Sequence, residues 1–186
     1  RKTGTRRVVK DAPNREDLGL CKTLGFGYGL IAPDTRVYQI KPPYRPGDIL
    51  YVREAWTTLL GSYLYRADQK PGMRNPGKWR PSIHMPREAA RIFLRVTDVR
   101  VERLQEITYE DCLREGITED EINERDAFRP SASAKWLFAH LWDGTIKPAD
   151  RALYSWDANP WVWVIEFERC EETTIREMGI GREAVL

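Results

Sequence analysis

Cysteine and histidine are scarce in this chain of 186 residues, with three of the first and two of the second. Cys21, Cys112 and Cys170 are odd in number and far apart, and no CxxC pair or Cys/His cluster occurs. That spacing argues against a disulfide framework and a zinc site, and makes a reducing, cytoplasmic setting the expectation. No metal and no cofactor are expected. No apolar run approaches the roughly 20 residues needed to cross a bilayer, so no membrane association is expected either. Internal repeats and the alternation of a βαβ fold are also missing, which speaks against a Rossmann architecture.

An excess of one charge sign is absent too: 30 Lys and Arg stand against 28 Asp and Glu. Hydrophobic residues at 41% and charged residues at 31% suit one globular domain with a sizeable core. The charges are nevertheless unevenly placed. Residues 66–100 hold nine Lys/Arg against three Asp/Glu, and residues 102–126 hold ten acidic against three basic side chains. A basic face interleaved with Trp and Tyr is compatible with nucleic acid, and ordinary solvated surface is the competing reading. The first ten residues, RKTGTRRVVK, add five more cations and no acid. They form either a solvated tail or part of a phosphate or catalytic site.

Periodicity places the elements. PPYRPGDILYVREAWTT predicts a turn entering a strand, and SYLYRAD its antiparallel partner across a short loop at Gly61. QKPGMRNPGKWRPSIHMP is too rich in Pro and Gly for a regular element and predicts a basic loop placed by Trp79. ARIFLRVTDVRVERL, β-branched and alternating, predicts the clearest strand. TYEDCLREGI carries a helix signature: Thr108 as N-cap, Asp111 three residues on, and Gly116 at the C-terminal stop. SASAKWLFAHLWDG predicts a second helix with Trp136, Leu137, His140 and Leu141 on its apolar face. PWVWVIEFERCEE predicts a closing strand buried on both sides. Strands, helices and a final strand together suggest an α+β protein built on a small curved sheet or barrel with flanking helices.

Isolated motifs carry little chemistry. GFGYG at Gly25–Gly29 lacks the GxGxxG spacing, a preceding strand and a Walker Lys, so a plain loop is expected there. His84 either contacts phosphate or makes a structural hydrogen bond. His140, on the expected apolar face, is read as a satisfied core residue. Trp56, Trp161 and Trp163 sit in strands and are read as core, which leaves Trp79 as the candidate for base stacking.

RKTGTRR, then RPGDILYVREAW, a long strand, TYEDCLREGI and WVWVIEFE together resemble the ASCH domain family of the PUA-like superfold. Lys2, Thr3, Thr5 and Arg7 stand in the order of that family's Gly-x-Lys-Thr-x-Thr-x-Arg segment, whose Gly would precede Arg1. Gly47 and Asp48 match its strand-entering turn, and Glu115 its acidic residue closing the helix. The KWRPSIHMPREAARI stretch is similar to ASCH proteins of bacteriophages and prophages. The resemblance implies a PUA-like small β-barrel with flanking helices. It also implies one domain over 1–186, with an inserted basic loop at about 66–91 and a helical elaboration at about 117–160.

What the resemblance implies for function divides in two. PUA-like domains are associated with RNA, so a nucleic acid, RNA rather than DNA, or a modified nucleoside is the expected partner. A small ASCH branch hydrolyses N4-acetylcytidine. Carried over, Thr5 would be the nucleophile, Lys2 the base or charge stabiliser and Glu115 the proton-transfer partner of an amidohydrolase. The chemistry requires a Lys whose pKa burial has lowered, and a bend that brings residues three apart to one face. Expected nucleic-acid contacts are Arg7, Arg53, Lys78, Trp79, Arg80, His84 and Arg87. A non-catalytic RNA-binding module and a phage-encoded ribonuclease are the alternatives.

Overall fold

A computed structural model describes residues 2–10, 12–13, 17–23, 27–73 and 77–170, with the backbone alone at 21–23. Within these limits the chain is a mixed α+β protein whose strand pairings are antiparallel. In chain order the elements are β1 (Gly4–Val8), β2 (Gly19–Thr23), β3 (Gly27–Ile31), β4 (Val37–Ile40), β5 (Ile49–Tyr51), β6 (Trp56–Leu59), β7 (Ser62–Tyr65), β8 (Phe93–Arg103), α1 (Tyr109–Arg114), α2 (Glu119–Asp126), α3 (Pro130–Thr145), α4 (Arg151–Tyr154) and β9 (Trp161–Cys170). They divide into two compact units. One is drawn from Arg1–Pro46 and Thr97–Phe167, the other from Gly47–Val96 and the segment starting at Glu168.

In the first unit β9 lies between β1 and the later half of β8. Thr5 stands opposite Ile165, Arg6 opposite Val164 and Arg7 opposite Trp163. Val162 and Val164 face a core with Leu104, Ile107, Ile122, Ala134, Phe138 and Trp142, supplied largely by the helices. Trp163 and Ile165 point the other way, as alternation requires. Trp163 meets the ring of Tyr28 on β3 edge to face, 5.2 Å between centroids. The Tyr28 hydroxyl donates to the Val99 carbonyl of β8. Strands β2, β3 and β4 form their own three-stranded meander. The apolar run of β9 is therefore buried on both sides.

The second unit pairs β5 with the start of β8, Leu50 opposite Leu94. Strands β6 and β7 form a hairpin whose tip, Leu60 and Gly61, has φ of 50° and 80°. Both positive values fit a type I′ turn, the twist-matched connection for two-residue loops. Its core gathers Ile49, Tyr51, Trp56, Met85, Ala89 and Phe93. Arg91 closes one side, its guanidinium 3.9 Å from the Tyr65 ring centroid and bonded to Glu54 and Asp68.

Several local expectations need correction. The strand expected over DILYVREAWTT is two strands, and β6, not β5, is the partner of β7. Gly27–Gly29 of the expected GFGYG loop lie in β3, while Gly25 and Phe26 are outside the described residues. Helix α3 is rotated from the expected face. Ser133, Ala134, Phe138 and Trp142 are buried, and Trp136, His140 and Leu141 are exposed. His140 is thus a surface residue rather than a core one, its ring stacked 3.5 Å from that of Trp136 and its Nδ1 3.0 Å from the Trp136 carbonyl. Helix α2 escaped the periodicity because Ile122 is its only buried residue.

Candidate functional site

Helix α1 is built by its caps. Thr108 Oγ1 accepts from the Asp111 N–H at 3.1 Å, the Thr108 N–H donates back to Asp111 Oδ2 at 3.4 Å, and Gly116 leaves the helix at φ 104°. One helical turn separates Asp111 from Glu115, so both carboxylates project from one face. Strand β1 supplies the opposing charge. The Thr3 N–H donates to the Arg114 carbonyl at 2.9 Å, which fixes the start of the chain against the end of α1.

Arg6 is the centre of this arrangement. Its guanidinium donates to Glu115 Oε1 at 3.3 Å, Asp111 Oδ2 at 3.0 Å and Glu102 Oε2 at 3.5 Å. Lys2 Nζ reaches Glu115 Oε2 at 3.1 Å. Arg100 and Arg114 also donate to Asp111. The two carboxyls respond oppositely to burial. Burial raises the Glu115 pKa above the usual glutamate range, despite the opposing pull of Lys2 and Arg6. Burial would raise Asp111 as well, but the Arg6 charge, the Thr108 N–H and Arg100 together hold it below the usual aspartate range.

Thr5 does not join that cluster. The pairing of β1 with β9 is unbroken from Gly4 to Val8, so successive side chains alternate. Arg6 turns to the carboxylates, and Thr5 and Arg7 turn to the opposite face. Lys2 and Glu115 are brought together; the hydroxyl that would complete a hydrolytic set is on the other side of the strand.

Where β1 ends, a cleft of about 480 Å³ opens. Its wall runs along consecutive residues Arg6, Arg7, Val8, Val9 and Lys10, faces Lys41 and Pro43 beyond β4, and is floored by Trp142, Thr145, Ile146 and Trp163. Among the described residues no carboxylate lines it. The Arg7 guanidinium lies 5.3 Å from the Tyr44 ring centroid. Lys10 and Lys41 are exposed at the rim. Arg6 presents a buried Nε–H with no partner among the described residues.

The remaining expected contacts belong to the second unit. Arg53 is half-buried, donating to the Tyr51 hydroxyl and to the Ile83 carbonyl at 3.0 Å. Lys78, Arg80, His84 and Arg87 are exposed and Trp79 is half-buried. Arg80 pairs its backbone with Trp56 and holds its guanidinium 4.9 Å from that ring's centroid. Arg53 thus has its donors engaged inside the unit.

Sequence reasoning missed Arg6, Asp111, Lys10, Lys41 and Trp142. The capping box around Asp111 and the cation content of the opening stretch were visible. Which members of that stretch face which neighbours depends on strand register. Among the described residues no group of three His, Cys, Asp or Glu is placed to hold a metal, and no helix is long and apolar enough to cross a membrane. Comparison with protein-family models, with curated proteins and with solved structures finds no match to the chain.

Proposed function

We propose that this chain is an ASCH-type domain of PUA-like fold that recognises a nucleic acid, RNA rather than DNA, or a modified nucleoside. The cationic cleft at the end of β1 carries the reading: Lys10 and Lys41 at the rim, Arg7 in the wall, and no acidic residue among the described lining. Such a distribution attracts phosphate, and two tryptophans supply an apolar floor suited to a base or sugar. Recognition is favoured over hydrolysis of an N4-acyl group because Thr5 and the Lys2–Glu115 pair occupy opposite faces of β1.

The test is anisotropy of a labelled single-stranded RNA across a salt series. Affinity should fall steeply with salt. Replacing both Lys10 and Lys41 by Ala should flatten the slope by about 0.7 for each phosphate no longer neutralised. An affinity indifferent to salt, or none, would reject the reading.

A further inference from the structure

The hydrogen-bond parity of β1 exposes something the charge pattern does not. The Phe167 N–H donates to the Thr3 carbonyl and the Val9 N–H to the Trp161 carbonyl, both at 2.9 Å. Those pairs continue the register in which Thr5 faces Ile165 and Arg7 faces Trp163. Odd-numbered residues of β1 therefore carry the ladder to β9. The N–H and C=O groups of Arg6 and Val8 point away from β9. Strand β1 ends its sheet, so among the described residues no strand covers that side. Among the same residues, no backbone hydrogen bond outside the regular helices and strands involves the Arg6 or Val8 amide or carbonyl. Arg6 and Val8, whose outward groups form this edge, are both among the residues lining the cationic cleft.

The other groups in the cleft are poorly suited to telling one base from another. Trp142 and Trp163 are both buried. The Trp142 Nε1–H already donates to the Tyr154 carbonyl at 2.8 Å. The Thr145 hydroxyl donates to the Trp142 carbonyl at 2.7 Å. The lysines offer charge alone, which positions a phosphate without reading sequence. The edge of β1 offers a donor and an acceptor on each of two residues, the complement a free Watson–Crick edge requires.

We infer that the cleft takes one unpaired nucleotide of a single strand, its phosphate held by Lys10 and Lys41 and its base edge read by the main chain of Arg6 and Val8. The inference rests on the nucleic-acid reading above and narrows it. A cleft of about 480 Å³ falls in the range of small-ligand sites, roughly 300–1,000 Å³, and suits one nucleotide rather than a duplex. A base already paired in a duplex has no edge left for the strand. The described lining, with Arg7, Lys10 and Lys41 and no carboxylate among the described residues, favours a polyanion over a neutral extended peptide, the other occupant an open strand edge attracts.

Two measurements on the full chain test this. The first is amide hydrogen exchange with and without a short single-stranded RNA of mixed sequence. Exchange at Val8 and Arg6 should slow by about tenfold or more at saturation, while the odd-numbered amides of β1, already in the ladder, change little. The second is Val8→Pro, which removes an outward donor and leaves the ladder intact, the position in a strand where proline is tolerated. It should weaken RNA binding by about fivefold to tenfold with an unchanged salt slope. The same RNA annealed to its complement should bind at least about tenfold more weakly than the single strand.

Absence of any RNA binding would overturn the functional reading, and this inference with it. Salt-dependent binding with unprotected Arg6 and Val8 amides would overturn the inference alone. So would equal binding of the duplex, or protection of these amides by an acidic peptide and not by RNA. Should Val8→Pro fail to fold, the exchange measurement on the unaltered protein decides.

Discussion

Lys2 and Arg6 hold opposite oxygens of the Glu115 carboxylate, from very different surroundings. The Lys2 side chain is 47% exposed and that of Arg6 2%, against 4% for the carboxylate between them. Water can replace the ammonium group and cannot reach the guanidinium. The two cations should therefore differ sharply in what their loss costs.

Arg6→Met should destabilise the protein by about 3–5 kcal/mol, because Asp111 and Glu115 would remain buried without their shared partner. Lys2→Ala should cost about 1 kcal/mol or less, as expected of a pair with one solvated member. Urea unfolding of the two variants compares them directly. Equal losses would mean that Arg6 does not organise the cluster.

Stability should depend on pH with opposing contributions from the two carboxyls. Glu115 has its pKa raised by burial, so its stabilising contribution is complete below the ordinary glutamate value and is lost as pH rises through the folded one. Asp111, with its pKa lowered, contributes above its ordinary value and loses that contribution as pH falls through the folded one. Glu115→Gln should remove the first effect. As pH rises from the ordinary glutamate range through the raised folded value, the variant should then gain stability relative to the unaltered protein. Carboxyl NMR titration provides the site-specific check, and a Glu115 midpoint below that of Asp111 would contradict the geometry.

Thr108→Ala should cost about 1 kcal/mol, the usual value of a lost N-cap, and should also loosen Asp111, to which the Thr108 backbone N–H is bonded. The second effect separates a cap from a simple helix end. The Asp111 carboxyl should titrate at higher pH in the variant. An unchanged titration would show that the arginines alone hold it.

Two basic surfaces compete for the role of phosphate contact, and salt-dependence slopes distinguish them. If the cleft binds, Lys10→Ala with Lys41→Ala flattens the slope, and Lys78→Ala with Arg80→Ala leaves it nearly unchanged. The reverse pattern would move the interface to the exposed loop of the second unit. Lys2→Arg should bind RNA as the unaltered protein does, since a guanidinium also pairs with Glu115. Release of acetate from N4-acetylcytidine, abolished by Thr5→Ala, is the outcome that would reinstate the hydrolase reading.

Elements whose signals are local were legible. The alternation of β8, the doubly apolar run of β9 and the capping box of α1 with its terminal glycine all appear where the residues place them. Helix α3 was legible as a helix and not as a face. Its sequence offers two apolar stripes, Ala134–Phe138–Trp142 and Trp136–His140, and each repeats every four residues. The second stripe carries an imidazole and an Arg125 guanidinium 3.3 Å from the Trp136 ring centroid, a pairing compatible with water, whereas the first packs Ala134, Phe138 and Trp142 into the core.

Composition and short-range pattern by themselves determined an α+β chain, its principal strands, the start and stop of α1 and the excess of cations at the beginning. Those features depend on backbone preferences within a few residues of each other. Tertiary structure decided that Arg6, rather than Thr5, meets Glu115. It also decided that the main-chain groups of Arg6 and Val8, rather than those of Arg7, point away from β9. Both outcomes follow from the register of β1 on β9. In a strand a shift of one residue exchanges the two faces and the two edges, and no property of RKTGTRR alone chooses between them.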